Sequence, residues 1–93
     1  MIHQNCCLFV GDLSICVSEQ ILLELFQAFG RVEHVEIKKG RKAFKLLEYG
    51  FVEFYTVEEA QNAMNHLDGK LIFGRKLRLI LLIFIPLNQF DVV

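Results

Sequence analysis

Short apolar or alternating segments of the chain are typical of β-strands. Residues 7–11 are apolar and rich in β-forming residues and break at a Gly-Asp pair, residues 32–38 alternate between apolar and polar, and residues 49–54 form a further strand-like segment. A turn at Gly74 precedes a further apolar segment that begins at about Lys76. The pattern predicts four strands, each with one side towards a core.

Two other segments repeat apolar residues every three or four positions, which is typical of amphipathic helices. Ser18 can cap the first helix, and Gly30 is expected to end it. Thr56 and Glu59 form a capping box for the second helix, which an Asp-Gly pair at 68–69 ends. The predicted inner faces are Leu22, Leu25, Phe26 and Phe29 in the first helix and Ala60, Ala63, Met64 and Leu67 in the second.

The elements follow one another in the order β-α-β-β-α-β, which predicts an α+β fold of the ferredoxin-like type. In this fold a four-stranded antiparallel sheet carries both helices on one face. The residues expected between the sheet and the helices include Val10, Phe26, Val52 and Phe54. The other face of the sheet has no covering layer, so the residues on that face are the candidates for function.

Three aromatic residues fall on the uncovered face. Strand alternation places Phe9, Tyr49 and Phe51 there, on the first and third strands, which are neighbours at the centre of this sheet. An exposed group of large rings indicates a ligand or a partner. The alternative is that a terminal segment of the chain covers the rings.

Length and composition limit the chain to one domain. It has 93 residues, of which 54% are hydrophobic and 23% charged, values that favour a compact fold and exclude disorder. We predict the domain over residues 6–81 and an apolar tail over 82–93. The apolar run 79–85 is too short to span a bilayer, and the first residues do not resemble a signal peptide.

The charge of the chain is unevenly distributed. The net charge of −1 does not by itself indicate a nucleic-acid partner. Two segments, 38–45 and 75–78, nevertheless hold most of the basic residues, while the predicted helices carry the acidic residues Glu19, Glu24, Glu58 and Glu59. We therefore expect one part of the surface to be basic.

The cysteines and histidines show no spacing that indicates a disulfide framework or a metal site. Cys6 and Cys7 are adjacent, and Cys16 has no evident mate, so we expect reduced cysteines in an intracellular protein. No nucleophile lies in a recognisable catalytic context, and no Gly-rich phosphate loop is present in the sequence. The sequence predicts a protein that is not an enzyme and needs no cofactor.

Two motifs resemble those of the RNA recognition motif family. Residues 8–13, Leu-Phe-Val-Gly-Asp-Leu, resemble its shorter ribonucleoprotein signature, which has an aromatic second residue. Residues 47–54, Leu-Glu-Tyr-Gly-Phe-Val-Glu-Phe, resemble the longer signature and match its last six positions. Leu47 and Glu48 depart from it, because the family has a basic residue and usually a glycine there.

The resemblance extends over about residues 7–80. Residues 71–77 are similar to the family's segment before the fourth strand. The short segments 17–19, 23–26 and 49–54 are similar in sequence to segments of a splicing factor 3b subunit and of poly(A)-binding proteins. This finer placement rests on segments that recur across many members of the family.

The resemblance implies a protein that binds single-stranded RNA in RNA processing or mRNA metabolism, in the nucleus, the cytoplasm or both. Phe9 and Tyr49 would each stack under a base, and Phe51 would pack against ribose or between nucleotides. The departure at Leu47 and Glu48 implies a modest affinity unless Lys45 takes the place of the missing basic residue. Further RNA contacts are expected from Lys38, Lys42 and Lys45 to phosphates, and from Lys76, Arg78 and His34 to base edges.

A protein-interaction or dimerisation module of the same fold is the competing hypothesis. It is favoured by the net charge of −1, by Leu47-Glu48 and by the apolar tail. The tail could lie across the aromatic rings, pair as an edge strand or join two copies of the chain.

Overall fold

A four-stranded antiparallel sheet with two helices forms the body of the protein. The computed structural model describes residues 6–39 and 47–82. The elements are β1 (Cys7–Ser14), α1 (Glu19–Phe26), β2 (Val32–Lys39), β3 (Leu47–Phe54), α2 (Val57–Leu67), β4 (Leu71–Ile72), β5 (Arg75–Lys76) and β6 (Arg78–Leu82). The sheet has the strand order β2-β3-β1-β6, and β4 pairs with β5 in a separate hairpin. The predicted α+β, ferredoxin-like fold is confirmed.

The hydrophobic core lies between the sheet and the helices. Leu22 and Phe26 of α1 are fully buried, and the Phe26 ring lies 6.3 Å from that of Phe54. Val10 and Val52 are also fully buried, so the four predicted core residues are confirmed. Burying a side chain of this size contributes about 1.5–3 kcal/mol to stability. The remaining fully or nearly fully buried members of the core include Leu8, Leu13, Ala60, Ala63 and Leu67.

A close approach of the β2 backbone to β3 explains one glycine of the longer signature. A Cβ atom on Gly50 would lie 2.7 Å from the backbone oxygen of Glu36 and 3.4 Å from Cδ1 of Leu22. Gly50 therefore faces the helices. Because successive residues of a strand alternate between faces, Tyr49 and Phe51 lie on the opposite side of the sheet.

Side-chain caps begin both helices, as predicted. The Ser18 hydroxyl accepts a hydrogen bond from the Ile21 N–H at 3.1 Å, and the Thr56 hydroxyl accepts one from the Glu59 N–H at 3.2 Å. The Glu59 carboxylate accepts from the Thr56 hydroxyl at 2.9 Å, and its other oxygen accepts from the Arg31 N–H at 2.8 Å. The capping residue thus also fixes the connection between α1 and β2.

The first helix is shorter than predicted. It ends at Phe26 rather than at Gly30, and the Phe29 N–H bonds to the Phe26 oxygen at 3.0 Å in a tight turn. Contacts with α2 hold Phe29 in this turn, because its ring stacks on His66 with centroids 4.8 Å apart. The Asn62 side-chain amide also donates to the Phe29 oxygen at 2.9 Å. These contacts across the chain override the helical periodicity.

Two predicted strand boundaries also need correction. β1 does not stop at Gly11 but continues to Ser14 through a bulge in which Asp12 has φ 60°. Asp tolerates this left-handed conformation better than most residues. The last strand begins at Arg78 rather than at Lys76, because residues 71–76 form the β4–β5 hairpin around a turn at Phe73 and Gly74.

Leu82 was predicted as the first residue of the tail, but it is the last residue of β6 and is paired with Cys7. The rest of the predicted tail, 83–93, lies outside the described residues, and so do Lys42 and Lys45.

Candidate nucleic-acid interface

Phe9, Tyr49 and Phe51 form a continuous group of rings, here called the aromatic face, at the centre of the open side of the sheet. Phe9 and Phe51 are directly paired across β1 and β3. The centroid of the Phe9 ring lies 5.9 Å from that of Tyr49 and 5.8 Å from that of Phe51, and the Tyr49 and Phe51 centroids are 6.0 Å apart. Each ring remains partly exposed.

The orientations of the rings differ. The planes of Phe9 and Tyr49 are inclined by only 30°, so these two rings are nearly parallel. Phe51 is steeply inclined to both of them, at 67° to Phe9 and 87° to Tyr49. The arrangement therefore offers two similarly oriented ring faces and one ring edge.

An apolar rim on β6 continues the aromatic face towards the edge of the sheet. Ile80 is paired with Phe9, and Leu82 is paired with Cys7. Ile80 is 47% exposed and Leu82 is 38% exposed. The continuous apolar run did not mark these two residues, although alternation along a strand that begins at Arg78 would have placed them on this face.

The bulge in β1 brings two arginines to one end of the aromatic face. The Asp12 backbone oxygen accepts a hydrogen bond from Arg75 Nε at 3.2 Å, and the Asp12 carboxylate lies 3.9 Å from Arg78 Nε. Arg78 is paired with Gly11, where a Cβ atom would lie 2.9 Å from Cε2 of Phe9. The absence of a side chain at Gly11 thus leaves room for the Phe9 ring beside Arg78.

A row of polar residues on β2 borders the other side of the aromatic face. Lys38 is paired with Tyr49, Glu36 with Phe51 and His34 with Glu53. The Lys38 ammonium lies 3.1 Å from one Glu36 carboxylate oxygen, and His34 Nε2 lies 3.9 Å from the other. The row therefore presents hydrogen-bond donors and an acceptor beside the rings.

Acidic side chains lie near the two cysteines at the end of the sheet where β1 begins. The pKa of the Cys6 thiol is raised, first by burial and then by the negative charges of Glu53, Glu58, Glu33 and Glu59. The pKa of the Cys7 thiol is also raised, first by burial and then by Glu53. Cys7 therefore stays a neutral thiol at neutral pH. At the other end of β1, Arg75 and Arg78 lie beside Asp12, so both signs of charge are present there.

Most predicted site residues lie on or beside this face. Phe9, Tyr49, Phe51, Lys38 and Arg78 are brought together as the sequence indicates. Lys76 is not, because it is an exposed residue of the β4–β5 hairpin and is paired with Leu71. Arg75, which the sequence did not single out, lies closer to the bulge. The predicted contacts of Lys42 and Lys45 lie outside the described residues.

Within residues 6–39 and 47–82, no group of three or more His, Cys, Asp or Glu side chains is placed to hold a metal ion. The helices of this part of the chain are also too short and too polar to cross a membrane.

Comparison with known proteins identifies the family. The family description of the RNA recognition motif matches residues 8–78. The chain therefore belongs to the RNA recognition motif family. It is 38% identical over 68 residues to small RNA-binding protein 11, chloroplastic, of Arabidopsis thaliana. The matched region is 73% of this chain but 47% of that relative, so the chain spans about half of the relative's length.

Solved structures have the same fold. RNA-binding protein PG1 is 28% identical and superimposes with a TM-score of 0.74, over 87% of this chain and 98% of that one. The Sxl-lethal protein in its complex with RNA is 26% identical, with a TM-score of 0.72 over 82% of this chain and 46% of that one.

Proposed function

We propose that the chain binds single-stranded RNA by stacking bases on the aromatic face. The observation that carries the proposal is the group of three partly exposed rings across β1 and β3. Bases of any sequence can stack on aromatic side chains, at about 1–3 kcal/mol for each base. The names of the relatives, an RNA-binding protein and a protein–RNA complex, support the same proposal.

The ring orientations suggest a role for each residue. Phe9 and Tyr49 are nearly parallel and 5.9 Å apart, so each would support one of two bases. Phe51 stands almost perpendicular to Tyr49, so it would contact ribose or fill the space between the two nucleotides. A platform of this kind, with added phosphate contacts, would give binding in about the micromolar range.

Basic side chains around the face would contact phosphates and base edges. Lys38 borders Tyr49, and Arg78 borders Phe9 through Gly11. Arg75 adds a second guanidinium at the bulge. Lys42 and Lys45 are proposed as phosphate contacts, and His34 and Lys76 as contacts to base edges, on the sequence alone.

Glu48 is less unfavourable for RNA than the sequence suggested. It is paired with Lys39, and it lies two residues before Gly50 on β3, so both residues are on the face of the sheet that is turned to the helices. Its negative charge therefore lies on the side of the sheet away from the aromatic face. The reduction in affinity expected from this part of the signature would come from the lack of a basic residue at position 47.

A protein partner on the same face is the second candidate function. The exposed rim residues Ile80 and Leu82 favour it, since they widen the apolar surface beyond the three rings. Pairing along the outer edge of β6 is hindered, because the Leu79 N–H already donates to the Asp68 carboxylate at 2.9 Å. A protein partner or a second copy would therefore contact the face of β6 rather than its edge.

The family supports RNA binding, but the cellular process and the compartment are proposals. RNA processing or mRNA metabolism in the nucleus or the cytoplasm is the role that we propose. The name of the Arabidopsis relative assigns that protein to the chloroplast, so the compartment of this chain stays a prediction.

Binding to short labelled single-stranded RNA, followed by fluorescence anisotropy, tests the proposal. Tyr49→Ala and Phe9→Ala should each weaken binding about ten-fold or more with little effect on the thermal melt. Phe73→Ala is the matched control, because Phe73 is 57% exposed but lies beside Ile21 and Leu25 on the helix side. Unchanged affinity in both face variants would refute the proposal.

A further inference from the structure

A carboxylate beside the centre of the proposed RNA-binding face is unexpected, because it repels phosphates. Glu36 occupies this position and is paired across the strands with Phe51. Directly paired side chains of neighbouring strands have Cβ atoms about 4.5–5.5 Å apart, so the carboxylate lies beside the rings rather than at a remote edge. Its side chain is 43% exposed and therefore open to a ligand.

Two side chains on the same face of β2 lie beside the Glu36 carboxylate. Lys38 Nζ lies 3.1 Å from one carboxylate oxygen, and His34 Nε2 lies 3.9 Å from the other. Each carboxylate oxygen can accept more than one hydrogen bond, and the Lys38 ammonium has three donors. Both groups thus retain hydrogen-bonding capacity towards a base that stacks on the adjacent rings.

The pair matches the Watson–Crick edge of guanine better than that of any other base. Guanine presents two adjacent N–H donors, N1 and the 2-amino group, followed by the O6 acceptor. A carboxylate can accept from both donors at once, and an ammonium beside it can donate to O6. Uracil offers the carboxylate one N–H, and adenine and cytosine offer it only an exocyclic amino group beside an acceptor nitrogen.

We propose that Glu36 and Lys38 recognise guanine on the aromatic face, with Glu36 bound to N1–H and the 2-amino group and Lys38 to O6. This inference rests on the proposed RNA binding and assigns to the site a base preference. The cost of placing a negative charge near phosphates is offset only when the base provides both donors. Guanine is therefore favoured, and the other bases are disfavoured.

The test compares short oligouridines that carry one guanine, inosine, adenine or cytosine at the centre. Inosine is guanine without its 2-amino group, so it removes one of the two contacts to Glu36. The wild-type chain should bind the guanine oligonucleotide at least about five-fold more tightly than the adenine and inosine ones. In Glu36→Gln the guanine and inosine oligonucleotides should bind about equally, because the charged bidentate acceptor is lost.

Glu24→Gln is the control for charge. It removes one carboxylate from the exposed side of α1, where Glu24 accepts a hydrogen bond from Gln20, and it should leave the guanine preference unchanged. The inference is overturned if the wild-type chain does not prefer guanine, or if Glu36→Gln raises affinity for all four oligonucleotides by the same factor. The second result would mean that Glu36 acts only by repelling phosphate. If no oligonucleotide binds, the proposed function fails and the inference with it.

Discussion

Gly11→Ala tests how the aromatic face is built, because it adds one methyl group where the Phe9 ring lies. The new Cβ would be 2.9 Å from Cε2 of Phe9 and 3.3 Å from Nε of Arg78. Carbon atoms in favourable contact are about 3.5–4.0 Å apart, so the edge of the ring must move by at least roughly 0.6 Å. The ring would then tilt away from its nearly parallel position beside Tyr49.

The expected effect falls on binding rather than on stability. The Phe9 ring is partly exposed and can move outwards, and replacing a strand glycine by alanine gains about 0.5–1 kcal/mol. We therefore expect the free energy of unfolding to change by less than about 1 kcal/mol. Affinity for single-stranded RNA should fall about three- to ten-fold, which corresponds to part of the binding free energy that one stacked base contributes.

A double-mutant cycle in RNA titrations, with urea unfolding of each variant, measures both effects. In a Phe9→Ala background, Gly11→Ala should cause no further loss of affinity, because the ring that it displaces is gone. Gly50→Ala is the matched control, since its Cβ would lie 2.7 Å from the Glu36 backbone oxygen and should reduce stability instead. An equal loss of affinity from Gly11→Ala with and without the Phe9 ring would refute this reasoning.

Three further predictions concern the core, the phosphate contacts and acid stability. Phe26→Ala should lower the free energy of unfolding by about 3–5 kcal/mol, nearly enough to unfold a small domain, and a thermal melt without a loss would contradict the packing. RNA affinity should fall by about 0.7 decades for each decade of salt concentration and for each phosphate contact. Replacing Lys42 and Lys45 by Gln should flatten this slope. An unchanged slope would place the phosphate contacts elsewhere. The pKa of Glu59 is lowered, first by the hydrogen bond from the Arg31 backbone N–H. The ionised carboxylate therefore contributes stability that is fully present above its unfolded-state pKa. This stability is lost as pH falls through the lower pKa of the folded state. Glu59→Gln should therefore reduce this acid-dependent loss in chemical unfolding, and a wild-type pH profile in the variant would contradict the assignment.

The fold could be predicted because its elements follow from local patterns. Alternation placed Val52 on the helix side and Phe51 on the open side, and the Ser18 and Thr56 caps marked where the helices begin. The predicted topology then placed Phe9 and Phe51 on neighbouring strands, where they are directly paired.

What the sequence did not reveal depends on contacts between distant residues. The Gly-Asp pair after Val10 is typical of a turn, but the bulge at Asp12 is held by Arg75, which is 63 positions away. Glu36 is one polar residue among several on an alternating strand, and the nearness of Lys38 and His34 follows from that alternation. Its pairing with Phe51 follows from the register of the sheet, which sequence spacing alone does not determine.

Binding of RNA to the aromatic face is the central claim, and nuclear magnetic resonance of the chain during titration with single-stranded RNA tests it most directly. The ring protons of Phe9, Tyr49 and Phe51 should shift together and saturate with one dissociation constant, because bases stack on these rings. The rings of Phe73 and Tyr55, which are exposed but lie next to α1 and Arg31, should not shift. Shifts confined to Phe73 and Tyr55, or no shift in any ring of the aromatic face, would contradict the account.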